Sequence, residues 1–390
     1  MQKKVIALAV AGLVSAGAYA QSNVQIYGVV DYGYTYRTDI LDSADGKAPN
    51  HAKSQGKIDA GQSAGNRLGF KGVEDIGNGL KAVFVLERGF NLDTGTDRNG
   101  FNRQAYVGLA GDWGTLAGGR IYTPYYNLLS SVDPFGDGTV GQYSNIKGDA
   151  LDEAGVLFNP VRVNNTIAYI SPTWSGLSFV AAYSNNALAD DGFKTVEVTD
   201  ATNNTTKNEI RYTNGGDNNV ATIAANLTGD NYLLGLTYHR INLGSVIGGK
   251  AVDNVSLGGT YDFGMAKVAA FWSWDKLSFD AADSKDIDQN NFMLGATVPF
   301  GKQAVKASFN YSKGDSNAYG DAWQLALGYT YNLSKRTNFY AVYSFIDNDN
   351  EELNAQKEVT KAARKAVVGD SSNSGGVYQQ AFQLGITHRF

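Results

Sequence analysis

Apolar and polar residues alternate along most of this chain, and the alternation is clearest at its end. In residues 377–390, Phe382 and Leu384 fall on one parity, whereas Gln383 and Thr387 fall on the other. Because successive side chains of a β-strand point to opposite faces, this segment predicts a strand with one apolar and one polar face. A strand that ends the chain needs a partner for its outer edge, and pairing it with the first strand predicts a closed barrel.

The segments between the predicted strands alternate between short turns and long polar loops. The short turns occupy residues 75–79, 111–114, 172–176, 228–231, 262–265, 299–302 and 333–336. The long loops occupy residues 38–60, 92–100, 121–159, 186–217, 243–252, 278–289, 313–320 and 347–375. Seven turns and eight loops require sixteen antiparallel strands, with the turns on one rim and the loops on the other. This layout is typical of outer-membrane barrels.

A soluble β-sandwich would show the same alternation, so periodicity alone leaves two architectures open. The turn-and-loop layout, an export signal and aromatic residues at strand ends favour the barrel. The aromatic residues include Trp113, Trp174 and Phe300, at positions where membrane barrels carry interfacial girdles. We therefore predict an all-β fold, a transmembrane antiparallel 16-stranded β-barrel.

The N-terminus has the pattern of a secretory signal peptide. Two lysines precede a short apolar stretch, and Ala18-Tyr19-Ala20 supplies a small-residue cleavage site. The apolar stretch is too short for a transmembrane helix. We expect residues 1–20 to be removed and residues 21–390 to form a single domain. Because two lysines leave with the signal peptide, the formal net charge changes from −5 to −7.

The composition excludes several kinds of site. The chain has no cysteine, which excludes disulfides and thiolate metal ligands, and its histidines, His51, His239 and His388, are far apart in sequence. No serine, histidine and carboxylate suggest a shared catalytic site, so we predict that the protein is not an enzyme and uses no metal or other cofactor. The acidic net charge argues against nucleic acid as a partner.

Three arginines share the inward-facing parity of their strands. Arg67, Arg103 and Arg162 lie on the second, fourth and sixth predicted strands, eight to ten residues before the next short turn. At the usual rise and tilt of barrel strands, all three stand roughly 20–25 Å above the turns. Their shared height predicts a basic wall, and charge rings of this kind set ion selectivity in pores. The alternative is that they are ordinary water-facing residues.

Other charged residues are candidate accessories to this wall. Asp31 and Arg37 fall on the inward parity of the first strand, and Lys71 on that of the second, at a different level from the arginines. The longest loop carries Asp133 and Asp137 beside a Pro-Phe-Gly sequence. If this loop folds back into the lumen, it sets acids against the arginines across a narrow opening. Which acid meets the arginines stays open.

One segment of the last long loop lacks the alternation. Residues 351–367 are rich in Ala, Lys, Glu and Gln, a composition that favours a short helix. A solvated loop without regular structure fits the same composition, and we assign the segment no function.

Several motifs, spread over the whole mature chain, resemble those of the Gram-negative general porins. They are Arg67-Leu68-Gly69-Phe70-Lys71-Gly72, Asp75-Ile76-Gly77-Asn78-Gly79-Leu80-Lys81-Ala82, Arg103-Gln104-Ala105-Tyr106-Val107-Gly108-Leu109, Gly119-Arg120, Pro134-Phe135-Gly136, Ile167-Ala168-Tyr169-Ile170-Ser171-Pro172 and the terminal Phe390.

The resemblance implies a homotrimer in the outer membrane of a Gram-negative cell, in contact with membrane lipid and lipopolysaccharide. It implies that the third loop folds into each barrel and forms a constriction, whose basic wall consists of Arg67, Arg103 and Arg162. It also implies that Phe390 is the signal read by the barrel-assembly machinery.

The residues and the resemblance together predict passive diffusion of ions and small hydrophilic solutes through the barrel. The pore would be weakly charge-selective, through a basic wall that faces acidic residues of the third loop. A solute-specific porin for an anion or a sugar is the alternative, although inward tyrosines such as Tyr27 and Tyr340 form no run along which a sugar could slide. An adhesin built on the barrel is a further alternative.

Overall fold

The structure of this protein is a computed structural model. It describes residues 23–41, 51–96, 100–136, 138–147, 159–185, 187, 193–200, 205–212, 219–243, 249–279, 286–314, 320–349, 352–353, 359–361 and 378–390. The predicted signal peptide, residues 1–20, and the loop acid Asp137 lie outside the described residues.

The described residues are almost all β-strand. The strands are β1 (Asn23–Leu41), β2 (His51–Ala60), β3 (Arg67–Gly77), β4 (Leu80–Gly89), β5 (Ala105–Gly111), β6 (Gly114–Tyr122), β7 (Arg162–Ile170), β8 (Leu177–Asn185), β9 (Phe193–Asp200), β10 (Thr205–Tyr212), β11 (Asn219–Thr228), β12 (Tyr232–Asn242), β13 (Gly249–Asp262), β14 (Lys267–Phe279), β15 (Ile287–Phe300), β16 (Gln303–Lys313), β17 (Ala322–Asn332), β18 (Thr337–Asn348), β19 (Glu352–Leu353), β20 (Val359–Lys361) and β21 (Tyr378–Arg389). Between β6 and β7 lie an α-helix, α1 (Pro124–Val132), and a 3-10 helix (Tyr143–Lys147).

The barrel closes between its first and last strands. Along one edge, β1 pairs antiparallel with β21, and along the other it pairs with β2 and then β3. Because β2 and β3 lie end to end against β1, interrupted by residues 61–66, they act as one barrel strand. With β4–β8, β11–β18 and β21, they complete a closed barrel of sixteen antiparallel strands. The predicted fold is confirmed.

The two faces of the barrel wall differ in the sense expected of a membrane protein. Outward-facing apolar side chains are exposed, as at Val107 and Leu294 (64% each), whereas Asn310 and Gln324 on the inward, polar face are fully buried (0%). A soluble sandwich would bury its apolar face, so these exposures fit a wall in contact with lipid. No helix among the described residues is long and apolar enough to cross a bilayer.

Some predicted loops contain strands. β1 and β2 continue their pairing into the predicted loop 38–60, and β9 and β10 form a hairpin within the predicted loop 186–217. β9 and β10 form a two-stranded sheet separate from the barrel wall, so their sequence is not required to present one apolar face to lipid. β19 and β20 pair within residues 351–367, where a short helix was one of two expectations. The described part of that segment is strand.

The connection between β6 and β7 folds into a compact loop segment, which we define as residues 123–147 apart from residue 137. Thr123 caps α1, because its Oγ1 accepts a hydrogen bond from Tyr126 N at 3.2 Å, and Pro124 occupies the first turn. α1 contacts β11–β14, and the 3-10 helix contacts β15–β17. The buried apolar side chains of the loop segment that pack against the strands are Tyr125, Leu128, Leu129, Val132, Phe135, Val140, Tyr143 and Ile146.

Candidate functional site

Two of the three predicted arginines converge on one carboxylate. Arg67 begins β3 and Arg103 lies just before β5, so they flank the intervening strand β4. β4 carries Glu87, whose Oε1 accepts a hydrogen bond from Arg103 Nε at 2.5 Å. Arg67 Nε lies 3.5 Å from Glu87 Oε2, and the Tyr27 hydroxyl donates to the same oxygen at 3.0 Å. Glu87 is therefore a buried bridge between two guanidinium groups.

Tyr122, the last residue of β6, connects this bridge to the third arginine. Its hydroxyl accepts from Arg103 Nη2 at 2.8 Å and from Arg162 Nη2 at 3.0 Å. The Arg162 guanidinium also lies over the Tyr122 ring, with Cζ 4.6 Å from the centroid, a cation–π geometry. On the loop side, Tyr122 stacks with Tyr126 of α1, with centroids 4.7 Å apart. The network so formed, which we call the arginine cluster, comprises Arg67, Arg103, Arg162, Glu87 and Tyr122.

The sequence did not predict Glu87 or Tyr122. Glu87 falls on the inward parity of β4, two positions after the buried Val85, so a search for acids on the strand between two arginine-bearing strands would have found it. Tyr122 follows a shift of register after Gly119, whose φ of +139° favours glycine. Because such a shift breaks the period of two, parity does not predict the direction of the Tyr122 side chain.

Asp133 lies in the turn that follows α1. Its Oδ1 accepts from Phe135 N at 2.9 Å, and its Oδ2 accepts from Tyr143 N at 2.7 Å. Lys306 of β16 donates to the neighbouring Pro134 carbonyl at 2.7 Å. Both carboxylate oxygens of Asp133 are thus engaged within the loop segment, and these contacts do not join it to the arginine cluster. The sequence left open which loop acid meets the arginines, and the described hydrogen bonds of Asp133 give it a role in the turn.

Asp31 is a junction within the barrel wall. Its Oδ1 accepts from Ser63 N and from the Tyr340 hydroxyl, each at 3.0 Å, and its Oδ2 accepts from the Thr387 hydroxyl. The side chain is fully buried. Asp31 therefore ties β1 to β18, to β21 and to residues 61–66, which separate β2 from β3.

Lys71 and Arg37 lie in different parts of the wall. Lys71 Nζ is 5.4 Å from the centroid of Tyr27, the residue whose hydroxyl donates to Glu87, so Lys71 borders the arginine cluster. Arg37 pairs in register with Gln55 of β2, in the extended part of the β1–β2 hairpin. Of the predicted accessory residues, Lys71 is the one with a described link to the arginine cluster.

Phe390 lies at the seam where the barrel closes. Its carbonyl oxygen accepts from Gly28 N at 3.1 Å, and its own N–H donates to Gly28 O at 3.2 Å. A Cβ at Gly28 would lie 2.3 Å from the ring atom Cζ of Phe390, so the glycine makes room for the ring against β1. The terminal residue therefore continues the pairing of β21 with β1.

A second charged site, beneath the loop segment, was not predicted. Asp275 of β14 accepts from Lys147 Nζ at 3.2 Å, at the end of the 3-10 helix. Asn159 and Asn254 donate to its Oδ1 at 2.8 Å and 2.7 Å, and Asn291 donates to its Oδ2 at 2.9 Å. The side chains of Asp275 and Lys147 are only 2% and 17% exposed. Ser273 Oγ also donates to Oδ2, at 3.3 Å. We call this buried carboxylate, Lys147 and the three asparagines the Asp275 anchor.

Tyr143 adds a neutral contact beside the Asp275 anchor. Its hydroxyl is hydrogen-bonded to Ser273 Oγ, 3.0 Å away. Burial raises the pKa of Tyr143 well above its usual value, so the hydroxyl stays protonated. Among the described residues, no group of three His, Cys, Asp or Glu side chains is placed to hold a metal ion.

Comparisons with known proteins agree with the architecture. A family model described as Gram-negative porin matches residues 7–351. Outer membrane porin protein 32 of Delftia acidovorans is 31% identical over 398 residues, and the match covers 100% of both chains. An outer membrane porin protein of Bordetella pertussis is also 31% identical, over 89% of this chain and 95% of the relative.

Solved structures show the same fold. The anion-selective porin from Comamonas acidovorans is 27% identical and superposes with a TM-score of 0.70, over 95% of this chain and all of the other. The trimer form of OmpT from Vibrio cholerae is 15% identical, with a TM-score of 0.61 over 95% of this chain, and supports the fold alone. With its closed sixteen-stranded barrel and full-length relatives, this chain belongs to the Gram-negative porins, which are channels of the outer membrane and not enzymes.

Proposed function

We propose that this porin forms a water-filled pore for passive diffusion of ions and small hydrophilic solutes, and that the pore prefers anions. The arginine cluster carries the proposal. It contains three guanidinium groups and one carboxylate: Glu87 binds Arg67 and Arg103, whereas Arg162 contacts the neutral Tyr122. Fixed positive charge in excess on a lumen wall attracts anions and opposes cations.

The contacts of Asp133 support the same sign. An acid that opposed the arginines across the lumen would weaken their preference, and the expectation of weak selectivity depended on such acids. Both carboxylate oxygens of Asp133 instead accept hydrogen bonds from backbone N–H groups. The positive charge of Lys306 also interacts with the Asp133 carboxylate. The charge of Asp133 is thus partly compensated by the turn and by Lys306 of the barrel wall, and it offsets that of the arginine cluster less than an exposed carboxylate would.

The overall charge of the chain does not oppose an anion preference. The formal net charge of the full sequence is −5. Charges beyond about 8–10 Å are largely screened at physiological salt, so acids in distant loops have little effect on ions at the constriction. The likeness to a solved anion-selective porin, at 27% identity over nearly the whole chain, is consistent with the proposed preference.

The packing and the resemblance lead us to propose further roles for the loop segment, the outer face of the barrel and the two ends of the sequence. The loop segment contacts the inward side of β11–β17 and would narrow the lumen to a constriction beside the arginine cluster. The exposed apolar outer face would contact lipid and lipopolysaccharide and would associate into a homotrimer. Residues 1–20 would be cleaved on export, and Phe390 would be the signal for the barrel-assembly machinery.

Single-channel recording tests the proposed function. The mature protein, shown to be folded by its heat-sensitive migration on gels, is placed in a planar bilayer between unequal KCl solutions. We expect conductance steps in groups of three. The sign of the reversal potential should show that chloride passes more readily than potassium. The preference should decline as both salt concentrations rise, because screening weakens the field of the arginines. A reversal potential of the opposite sign, or no conductance from folded and inserted protein, contradicts the proposal.

The substitution Glu87→Gln should increase the anion preference. It removes the carboxylate shared by Arg67 and Arg103 while keeping the side chain's size, so the positive charge of the arginine cluster is no longer offset. The reversal potential under the same KCl gradient should move further toward that of chloride. Glu74→Gln, at an exposed position of β3, is the matched control and should leave the reversal potential unchanged. A shift toward potassium for Glu87→Gln would contradict the assigned role.

A further inference from the structure

A row of glycines on the inward face lies directly beneath the loop segment. Gly235 of β12 lies under α1, and a Cβ added there would be 2.4 Å from Leu128 Cδ1. Gly295 of β15 lies under the turn after α1, and an added Cβ would be 2.5 Å from Pro134 Cγ. Interiors are packed too densely to absorb a contact of this kind without movement of one partner. At both positions the loop segment occupies the space that a side chain would need.

Gly328 of β17 completes the row. A Cβ at this residue would be 2.6 Å from Phe135 Cε1. On the other side of the ring, a Cβ at Gly141 would be 2.8 Å from Phe135 Cδ1. The Phe135 side chain, 5% exposed, is thus held between the barrel wall and the returning loop backbone.

Lys306, on the strand between those of Gly295 and Gly328, supplies a polar contact with the loop segment. It lies on β16, which runs between β15 and β17, and it pairs in register with Gly328. Its Nζ donates to the carbonyl oxygen of Pro134 at 2.7 Å. The wall therefore has a glycine on either side of Lys306. Gly295 lies against the Pro134 ring, Lys306 binds the Pro134 carbonyl group, and Gly328 lies against Phe135.

The loop side of this contact is held in shape by its own hydrogen bonds. Asp133 accepts from the backbone N–H groups of Phe135 and Tyr143 through its side chain, and from Gly136 N through its carbonyl oxygen at 3.1 Å. Gly136 has a φ of +65°, a conformation that glycine adopts without strain. The turn is therefore a formed unit that would move as a whole if it were displaced from the wall.

We propose that Gly235, Gly295, Lys306 and Gly328 form a receptor for the loop segment, and that they are positioning residues which set the bore of the pore. This inference rests on the proposed diffusion pore. Because the loop segment lies between the wall and the open lumen, a side chain at one of these glycines moves it toward the opposite wall, where the arginine cluster lies. The size limit for solutes then depends on residues that no solute touches.

The substitution Gly328→Ala tests the receptor. We expect single-channel conductance to fall roughly twofold, since lumen substitutions tune passage. The smallest polyethylene glycol that is excluded from the pore should be smaller for Gly328→Ala than for the wild type. Adding Phe135→Leu to the same chain should restore the conductance, because leucine lacks the ring atom that the new Cβ meets. Wild-type conductance in Gly328→Ala, or a fall that Phe135→Leu does not relieve, overturns the proposal.

Two further variants separate positioning from general damage to the barrel. Gly118→Ala adds a methyl group on β6 at a site where the nearest atom is 3.8 Å from the added Cβ, and it should conduct like the wild type. Lys306→Met keeps an unbranched side chain, one atom shorter than that of lysine, but removes the donor to Pro134, and it should increase the current noise of the open channel. Noise equal to that of the wild type overturns the role of Lys306.

The wild type separates failure of the receptor from failure of the pore. If folded wild-type protein does not conduct, both the diffusion pore and the receptor are refuted. If the wild type conducts and the variants have the same conductance and noise, the receptor alone is refuted.

Discussion

A chain in which Arg67, Arg103 and Arg162 are all replaced by glutamine will form a pore that no longer prefers anions. Glutamine retains hydrogen-bonding groups but no charge, so the one remaining charge of the arginine cluster is the carboxylate of Glu87. The sign of the local field then reverses, and we expect a modest preference for cations. The reversal potential under a KCl gradient should change sign between the wild type and the triple variant, with the largest difference at low salt.

The control for this experiment is an arginine with a comparable ion pair elsewhere on the barrel. Arg240 of β12 donates to both oxygens of Asp253, at 3.1 Å and 2.9 Å, on the outward parity of the strand. Arg240→Gln should leave the reversal potential as it is in the wild type. If the triple variant also keeps the wild-type value, the selectivity of the pore does not come from the arginine cluster.

The substitution Asp275→Ala will release the end of the loop segment. It leaves the ammonium of Lys147 buried without its counter-charge, and three asparagines lose their shared acceptor. Removing one partner of a buried ion pair costs about 3–5 kcal/mol, and undocking of the loop segment is the least costly way to rehydrate the lysine. We expect trypsin to cleave the folded variant after Lys147, and the open channel to close at lower voltages than the wild type.

Two comparisons make this result specific to the Asp275 anchor. Asp275→Asn keeps an acceptor oxygen and the volume of the side chain, so its cleavage rate should fall between those of the wild type and Asp275→Ala. Asp253→Asn removes an acid on the outward side of β13 and should be cleaved no faster than the wild type. Resistance of folded Asp275→Ala to trypsin would show that the Asp275 anchor does not hold the loop segment.

The sequence predicted the faces of the strands and their order, but not which residues of neighbouring strands lie side by side. Alternation assigned Arg67, Arg103 and Arg162 to one side of the wall, and the structure brings them into one network. The connections between them, Glu87 and Tyr122, depend on which residues of neighbouring strands lie side by side. The pattern of a single strand restricts its register to shifts that keep the apolar face outward, but several such registers remain.

The loop acids show a different limit of sequence reasoning. Asp133 follows a helix and precedes a proline, a position where a short carboxylate commonly accepts backbone N–H groups. This local role competes with a role in the lumen, and the hydrogen bonds to Phe135 and Tyr143 favour the local one. The Asp275 anchor was missed for the opposite reason, because Lys147 and Asp275 are 128 positions apart in the chain.

The junction at Asp31 links closure of the barrel to β18 and β21, which lie far from β1 in the sequence. Its carboxylate is buried by hydroxyl groups from Tyr340 and Thr387, which lie 309 and 356 positions later in the sequence. Contacts of such long range form late, because the intervening chain must first be ordered. Until β21 arrives, both edges of the growing sheet remain unpaired and able to join another chain. Copies of this chain are therefore open to wrong pairing with one another for as long as β21 has not joined β1.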